Sequence, residues 1–73
     1  LKKLGYAWKK NMSAREVITM LENNGWIFIR QRGSHILYEK NGMVCTIPNH
    51  RILARGTLKS IEKSVNLAEG KKT

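Results

Sequence analysis

Seventy-three residues allow one domain with a modest core, too small to enclose a large cofactor, so a surface site is expected. Fourteen Lys and Arg against five acidic residues give a net charge of +9, which favours a polyanionic partner, nucleic acid first and an acidic protein second. A single cysteine excludes an intrachain disulfide, and no apolar run nears the ~20 residues of a membrane span or the core of a signal peptide, so a cytoplasmic location is expected.

Residues 1–11 set Leu4, Tyr6 and Trp8 among Lys2, Lys3, Lys9 and Lys10. Aromatics between lysines can stack on bases, but termini are usually loose, and a flexible basic leader or appended extension is the expectation. The domain proper is placed at 12–67. From Met12 onward ten basic residues face five acidic ones, so about half of the charge excess belongs to the domain itself.

Ser13-Ala14-Arg15-Glu16 has the form of a capping box, and Val17, Ile18 and Leu21 follow at helical spacing. Asn24-Gly25 closes the pattern, with glycine suited to a left-handed C-terminal position. A helix is predicted over 14–23. Trp26-Ile27-Phe28-Ile29-Arg30 then reads as a strand, with Trp26 and Phe28 assigned to the core.

Gly33 breaks that strand. Ile36-Leu37-Tyr38-Glu39 and Met43-Val44-Cys45-Thr46-Ile47 follow, separated by Lys40-Asn41-Gly42. Asn-Gly between apolar runs predicts a type I′ hairpin. If Asn41 and Gly42 are its loop, Lys40 pairs with Met43 and His35 with Pro48, with His50 just beyond at the same end. Opposed residues share a side of the sheet. One face then collects Ile36, Tyr38, Met43, Cys45 and Ile47, the more apolar set, assigned to the helices. His35, Leu37, Glu39, Val44 and Thr46 are left on the open side. Cys45 reads as core filler, and one Cys with two His gives no structural zinc spacing.

After Pro48 a loop runs through Arg55-Gly56. Thr57 is the expected N-cap of a second helix over 57–66, carrying Leu58, Ile61 and Val65 inward and Lys59, Glu62 and Lys63 outward. Residues 68–73 are expected to form a frayed tail. The order is helix, three strands, helix.

The chemistry gathers at Arg30-Gln31-Arg32-Gly33-Ser34-His35. Arginines can hold a phosphate, and an imidazole can move a proton near neutral pH. That suits RNA cleavage, because the 2′-hydroxyl supplies the nucleophile and the protein manages protons and charge. The plainer alternative for His35 is a residue capping the start of a strand. His50 is a candidate second proton donor, or a loop histidine that binds RNA or caps a backbone group. Arg30, Arg32, Arg51, Ser34, Lys59 and Lys63 are candidate RNA and phosphate contacts, or solvated surface and turn chemistry. No metal or other cofactor is needed for this mechanism.

Three blocks resemble the HicA family of toxins, the small mRNA interferases of type II toxin–antitoxin pairs. They are Gly25-Trp26 leading to Arg30-Gln31-Arg32-Gly33-Ser34-His35, then Thr46-Ile47-Pro48-Asn49-His50, then Gly56-Thr57-Leu58-Lys59-Ser60-Ile61. The resemblance implies an α-β-β-β-α fold like the double-stranded-RNA-binding domain, a three-stranded antiparallel sheet with two helices on one face. It implies an endoribonuclease acting on mRNA with His35 as the catalytic residue, and a HicB-type antitoxin that masks it. DNA would be met only through that antitoxin. Many members carry a second histidine directly after the first, where this chain has Ile36. The residues alone also allow a non-catalytic RNA-binding module, or an adaptor for an acidic protein.

Overall fold

In the computed structural model, which describes residues 5–70, the elements are α1 (Ala14–Asn23), β1 (Ile27–Arg32), β2 (His35–Lys40), β3 (Met43–Pro48) and α2 (Arg55–Gly70). Leu1–Leu4 of the leader and Lys71–Thr73 of the tail lie outside the described residues. The predicted arrangement of two helices around a three-stranded antiparallel sheet is present, with strand order β1-β2-β3.

Both ends of α1 are fixed by local hydrogen bonds. The Glu16 amide donates to Ser13 Oγ at 3.1 Å while the Ser13 amide donates to Glu16 Oε1 at 2.9 Å, completing the capping box. At the other end the Trp26 amide donates to the Leu21 carbonyl at 3.0 Å and the Gly25 amide to that of Glu22 at 3.2 Å. This is the Schellman pattern, and it requires the left-handed residue that Gly25 provides at φ +92°. Leu21 and Trp26, bracketing the motif, are both buried.

Asn41 and Gly42 both have positive φ (52° and 80°), as a type I′ turn demands. The register of β2 on β3 follows from it: Lys40 opposes Met43, Tyr38 opposes Cys45, and His35 opposes Pro48. The faces sort as the alternation predicts. Tyr38, Cys45 and Ile47 are buried against the helices, whereas His35, Glu39, Val44 and Thr46 are exposed.

Several expectations need correction. Phe28 is 52% exposed rather than core; it meets the Tyr38 ring edge-on at 5.7 Å between centroids. The helices pack chiefly on β3, at the opposite side of the sheet, so every residue of β1 is exposed. The second helix runs from Arg55 to Gly70 instead of 57–66, and Thr57 lies within its first turn, not at the cap. Its start follows from the buried anchor Leu53, after which the Ala54 carbonyl already accepts from the Leu58 amide at 2.9 Å. Its end is extended because Ala68 is fully buried and Glu69 pairs with Lys40 at 2.8 Å.

Residues 5–11 are likewise not loose. Tyr6 and Trp8 stack on each other and pack against the core. Tyr6 Oη donates to Glu69 at 2.6 Å and accepts from Trp26 Nε1 at 3.0 Å. Asn24, 2% exposed, ties this segment to α1. Its Oδ1 accepts from the Gly5 amide at 2.8 Å, and its Nδ2 donates to the carbonyls of Gly5 (2.6 Å) and Met20 (2.8 Å).

Replacing Asn24 removes three hydrogen bonds made by a buried side chain to the backbone of Gly5 and Met20. Asn24→Ala is expected to cost about 1–3 kcal/mol, measured as a lower urea midpoint at unchanged slope.

Candidate functional site

The first hairpin is built around glycine. Arg32 and His35 pair directly, so Gly33 and Ser34 are its two loop residues. Only Gly33 has positive φ (57°), the pattern of a type II′ turn. Gln31 Nε2 donates to the Gly33 carbonyl at 3.0 Å, and the Asn49 amide donates to the Ser34 carbonyl at 2.6 Å. The tip is thereby pinned to its own strand and to the end of β3. His35 opens the central strand, held from both sides, with its side chain exposed.

Pairing defines three rows across the open face. Arg32, His35 and Pro48 form the first; Arg30, Leu37 and Thr46 the second; Ile27, Glu39 and Val44 the third. Two arginines therefore share the face and the end of the sheet that carry His35, at neighbouring-strand distance of about 4.8 Å for the Arg32 pair.

His35 stands between two concavities. One is a depression on the sheet, lined by Arg32, Gly33, His35, Leu37 and Thr46. The other is a cleft of about 330 Å³ between β3 and α2, lined by His35, Thr46 and Pro48 on the sheet side and by Thr57, Ser60 and Ser64 on the helix side. No carboxylate lines either one. Glu16 caps α1 and pairs with Lys9, Glu22 accepts from Tyr38 Oη, and Glu69 pairs with Lys40. Three of the five acids are so engaged, away from His35, and Glu39, in the third row, is the carboxylate that shares the open face with the two arginines.

The remaining predicted residues are more dispersed. Ser34 is exposed in the turn next to His35. His50 follows the sheet; its amide donates to the Pro48 carbonyl at 2.8 Å and its carbonyl accepts from the Ala14 amide at 3.0 Å. It lines neither concavity that His35 lines. Arg51 is exposed in the following loop. Lys59 and Lys63 are exposed on α2 and border a different depression, with Glu62, Asn66 and Leu67. Thr57, Ser60 and Ser64 were not legible as site residues from charge or motif. Their spacing at i, i+3 and i+7 on one helix face was the available signal. Among the described residues no three His, Cys, Asp or Glu side chains gather into a metal-binding group.

The family model described as the HicA toxin of bacterial toxin–antitoxin pairs matches residues 14–67, a span that includes α1, the whole sheet and most of α2. No curated protein and no solved structure matches the chain.

Cys45 borders the β3–α2 cleft and raises the question of thiol chemistry. It is 1% exposed, and burial pushes its thiol up to about 11. It stays protonated at neutral pH and is no nucleophile there. At pH 8 its alkylation by iodoacetamide is expected to run about 100-fold slower than that of a thiol titrating at 9.0. The rate should climb with pH until the thiolate predominates near 11, and urea should abolish the difference.

Proposed function

The chain belongs to the HicA family of bacterial toxins, and on that premise we propose that it is an endoribonuclease that cleaves mRNA, with His35 as its proton-transfer group. The observation that carries this reading is an exposed histidine at the head of the central strand, sharing one open face with Arg30 and Arg32 and with no carboxylate lining its surroundings.

In the proposed reaction RNA lies across the open face with a phosphate at Arg32 and Arg30. Neutral His35 takes the proton of the adjacent ribose 2′-hydroxyl. The 2′-oxygen attacks phosphorus, the bond from phosphorus to the 5′-oxygen breaks, and a 2′,3′-cyclic phosphate and a 5′-hydroxyl result. Guanidinium groups offset the charge that grows on the phosphoryl oxygens. Entering and leaving oxygens stand roughly in line, so one imidazole does not serve both; water supplies the leaving-group proton. His50 is assigned to RNA contact rather than to this step, because it lines neither concavity around His35. Ser34 binds a phosphate oxygen from the turn. Arg51, Lys59 and Lys63 contact more distant parts of the backbone.

Membership in a toxin–antitoxin family brings an antitoxin partner. We assign a HicB-type protein that covers His35 and the arginines of the open face. The site of action is the cytoplasm, where mRNA is met, and DNA is reached only through the antitoxin.

The test is cleavage of a long unstructured RNA by purified protein with EDTA present. His35→Ala is expected to lower the rate about 10²–10⁴-fold while RNA affinity changes less than about twofold. The products of the wild type should carry cyclic-phosphate ends. Equal cleavage by both proteins overturns the assignment, and binding without cleavage by the wild type replaces it with a binding module.

Arg32→Ala should weaken RNA binding to a similar degree for unrelated sequences and reduce the slope of log K against log salt by about 1, since a phosphate contact releases counterions but reads no base.

A further inference from the structure

Thr57, Ser60 and Ser64 have no part in the mechanism above, yet they line the cleft that ends at His35. They occupy one side of α2, and with a rise of about 1.5 Å per residue they extend along about 10 Å of its axis, Ser60 and Ser64 lying about 6 Å apart. Thr57 and Ser64 are half-buried and Ser60 is exposed. Among the described residues none of the three hydroxyls has a hydrogen-bond partner. The stripe is polar without being charged, unlike the neighbouring Lys59 and Lys63. Ser also serves a helix interior less well than Ala, so helix formation does not account for Ser60 and Ser64 there.

His35 lines both this cleft and the depression beside Arg32. A strand crossing the sheet along the row Arg32, His35, Pro48 continues onto the hydroxyl stripe of α2. The two halves of that path differ in chemistry. Guanidinium groups attract any polyanion. A hydroxyl both donates and accepts, which matches the ribose 2′-hydroxyl, the group DNA lacks.

We infer that Thr57, Ser60 and Ser64 form a ribose-binding subsite for the nucleotides on one side of the phosphate held at Arg30 and Arg32. This rests on the ribonuclease reading and deepens it. The arginines supply affinity, and the α2 hydroxyls supply preference for RNA over DNA. The hydroxyls are positioning groups; they touch the substrate but no reacting atom.

The experiment compares His35→Ala with His35→Ala carrying Ser60→Ala and Ser64→Ala, by fluorescence anisotropy on a single-stranded RNA and on DNA of the same sequence. Circular dichroism and thermal unfolding confirm that both fold. The added substitutions are expected to raise the Kd for RNA about tenfold and that for DNA less than about threefold, narrowing the preference. Thr57→Val, of the same shape, should act in the same direction. In the protein with His35 intact, KM should rise while kcat holds within about threefold. Unchanged RNA affinity in the folded variant overturns the subsite, and so does an equal loss on RNA and DNA. Binding is read without cleavage, so the two proposals fail separately. An inactive wild type with the selective loss of RNA affinity sinks the ribonuclease reading alone. An active wild type with unaltered affinity sinks the subsite alone.

Discussion

The two residues Asn41 and Gly42 set the register of β2 on β3, and with it the faces on which both strands place their side chains. A two-residue turn with both φ angles positive sets this register, and a slip by a single residue would carry one strand's side chains to the other face, parting Tyr38 from Cys45 and Ile47. The turn is also held from outside. Asn41 Nδ2 donates to the Ala68 carbonyl at 2.8 Å. Lys40 Nζ donates to the Asn24 carbonyl at the end of α1 and meets Glu69 of α2 at 2.8 Å. The Lys40–Glu69 pair is only 13% and 25% exposed. Removing its charges from water is costly, and the added bonds from Asn24 and Tyr6 offset that cost. One turn thus joins both helix ends to the hairpin.

With the register fixed, charge separates by face. Burial, aided by the hydrogen bonds to Glu69 and Glu22, pushes the Tyr6 and Tyr38 phenols up to about 12, so both remain donors at any physiological pH. Their acceptors are thereby held beside the helices. The open face keeps Arg30, Arg32 and His35 at one end and Glu39 in its third row, four residues from His35 along β2. The positive charge of that face is thus gathered at the end where Arg30 and Arg32 flank His35.

What the sequence disclosed was whatever local chemistry decides. The capping box, the Gly25 stop, the Asn41-Gly42 turn and the alternation along β2 and β3 led directly to α1, the hairpin and the exposed position of His35. The core assignment of Phe28 failed because it depended on which strand the helices cover: pairing puts Phe28 opposite Tyr38 on the helix-bearing face, but on the edge strand that the helices do not reach. The ends of α2 and the packing of residues 5–11 depend on contacts between Tyr6, Asn24, Lys40, Asn41 and the last turn of α2, all remote in sequence. Within the site, alternation sufficed to align Arg30 and Arg32 with His35. It was silent on His50, Lys59 and Lys63, whose positions follow from the loop and from the rotation of α2, and for that same reason on Thr57, Ser60 and Ser64.

The outer margin of β1 has a consequence for the free protein. An unpaired strand edge with Ile27, Phe28 and Ile29 exposed is a template on which another chain can zip. Here the bulge interrupts the straight ladder, and Arg30 and Arg32 stand where an identical strand would have to dock. Two copies laid edge to edge would crowd four guanidinium groups together. The charges that suit a phosphate chain therefore also discourage fibre growth, and the toxin carries its own protection against self-aggregation during any interval it spends without a partner.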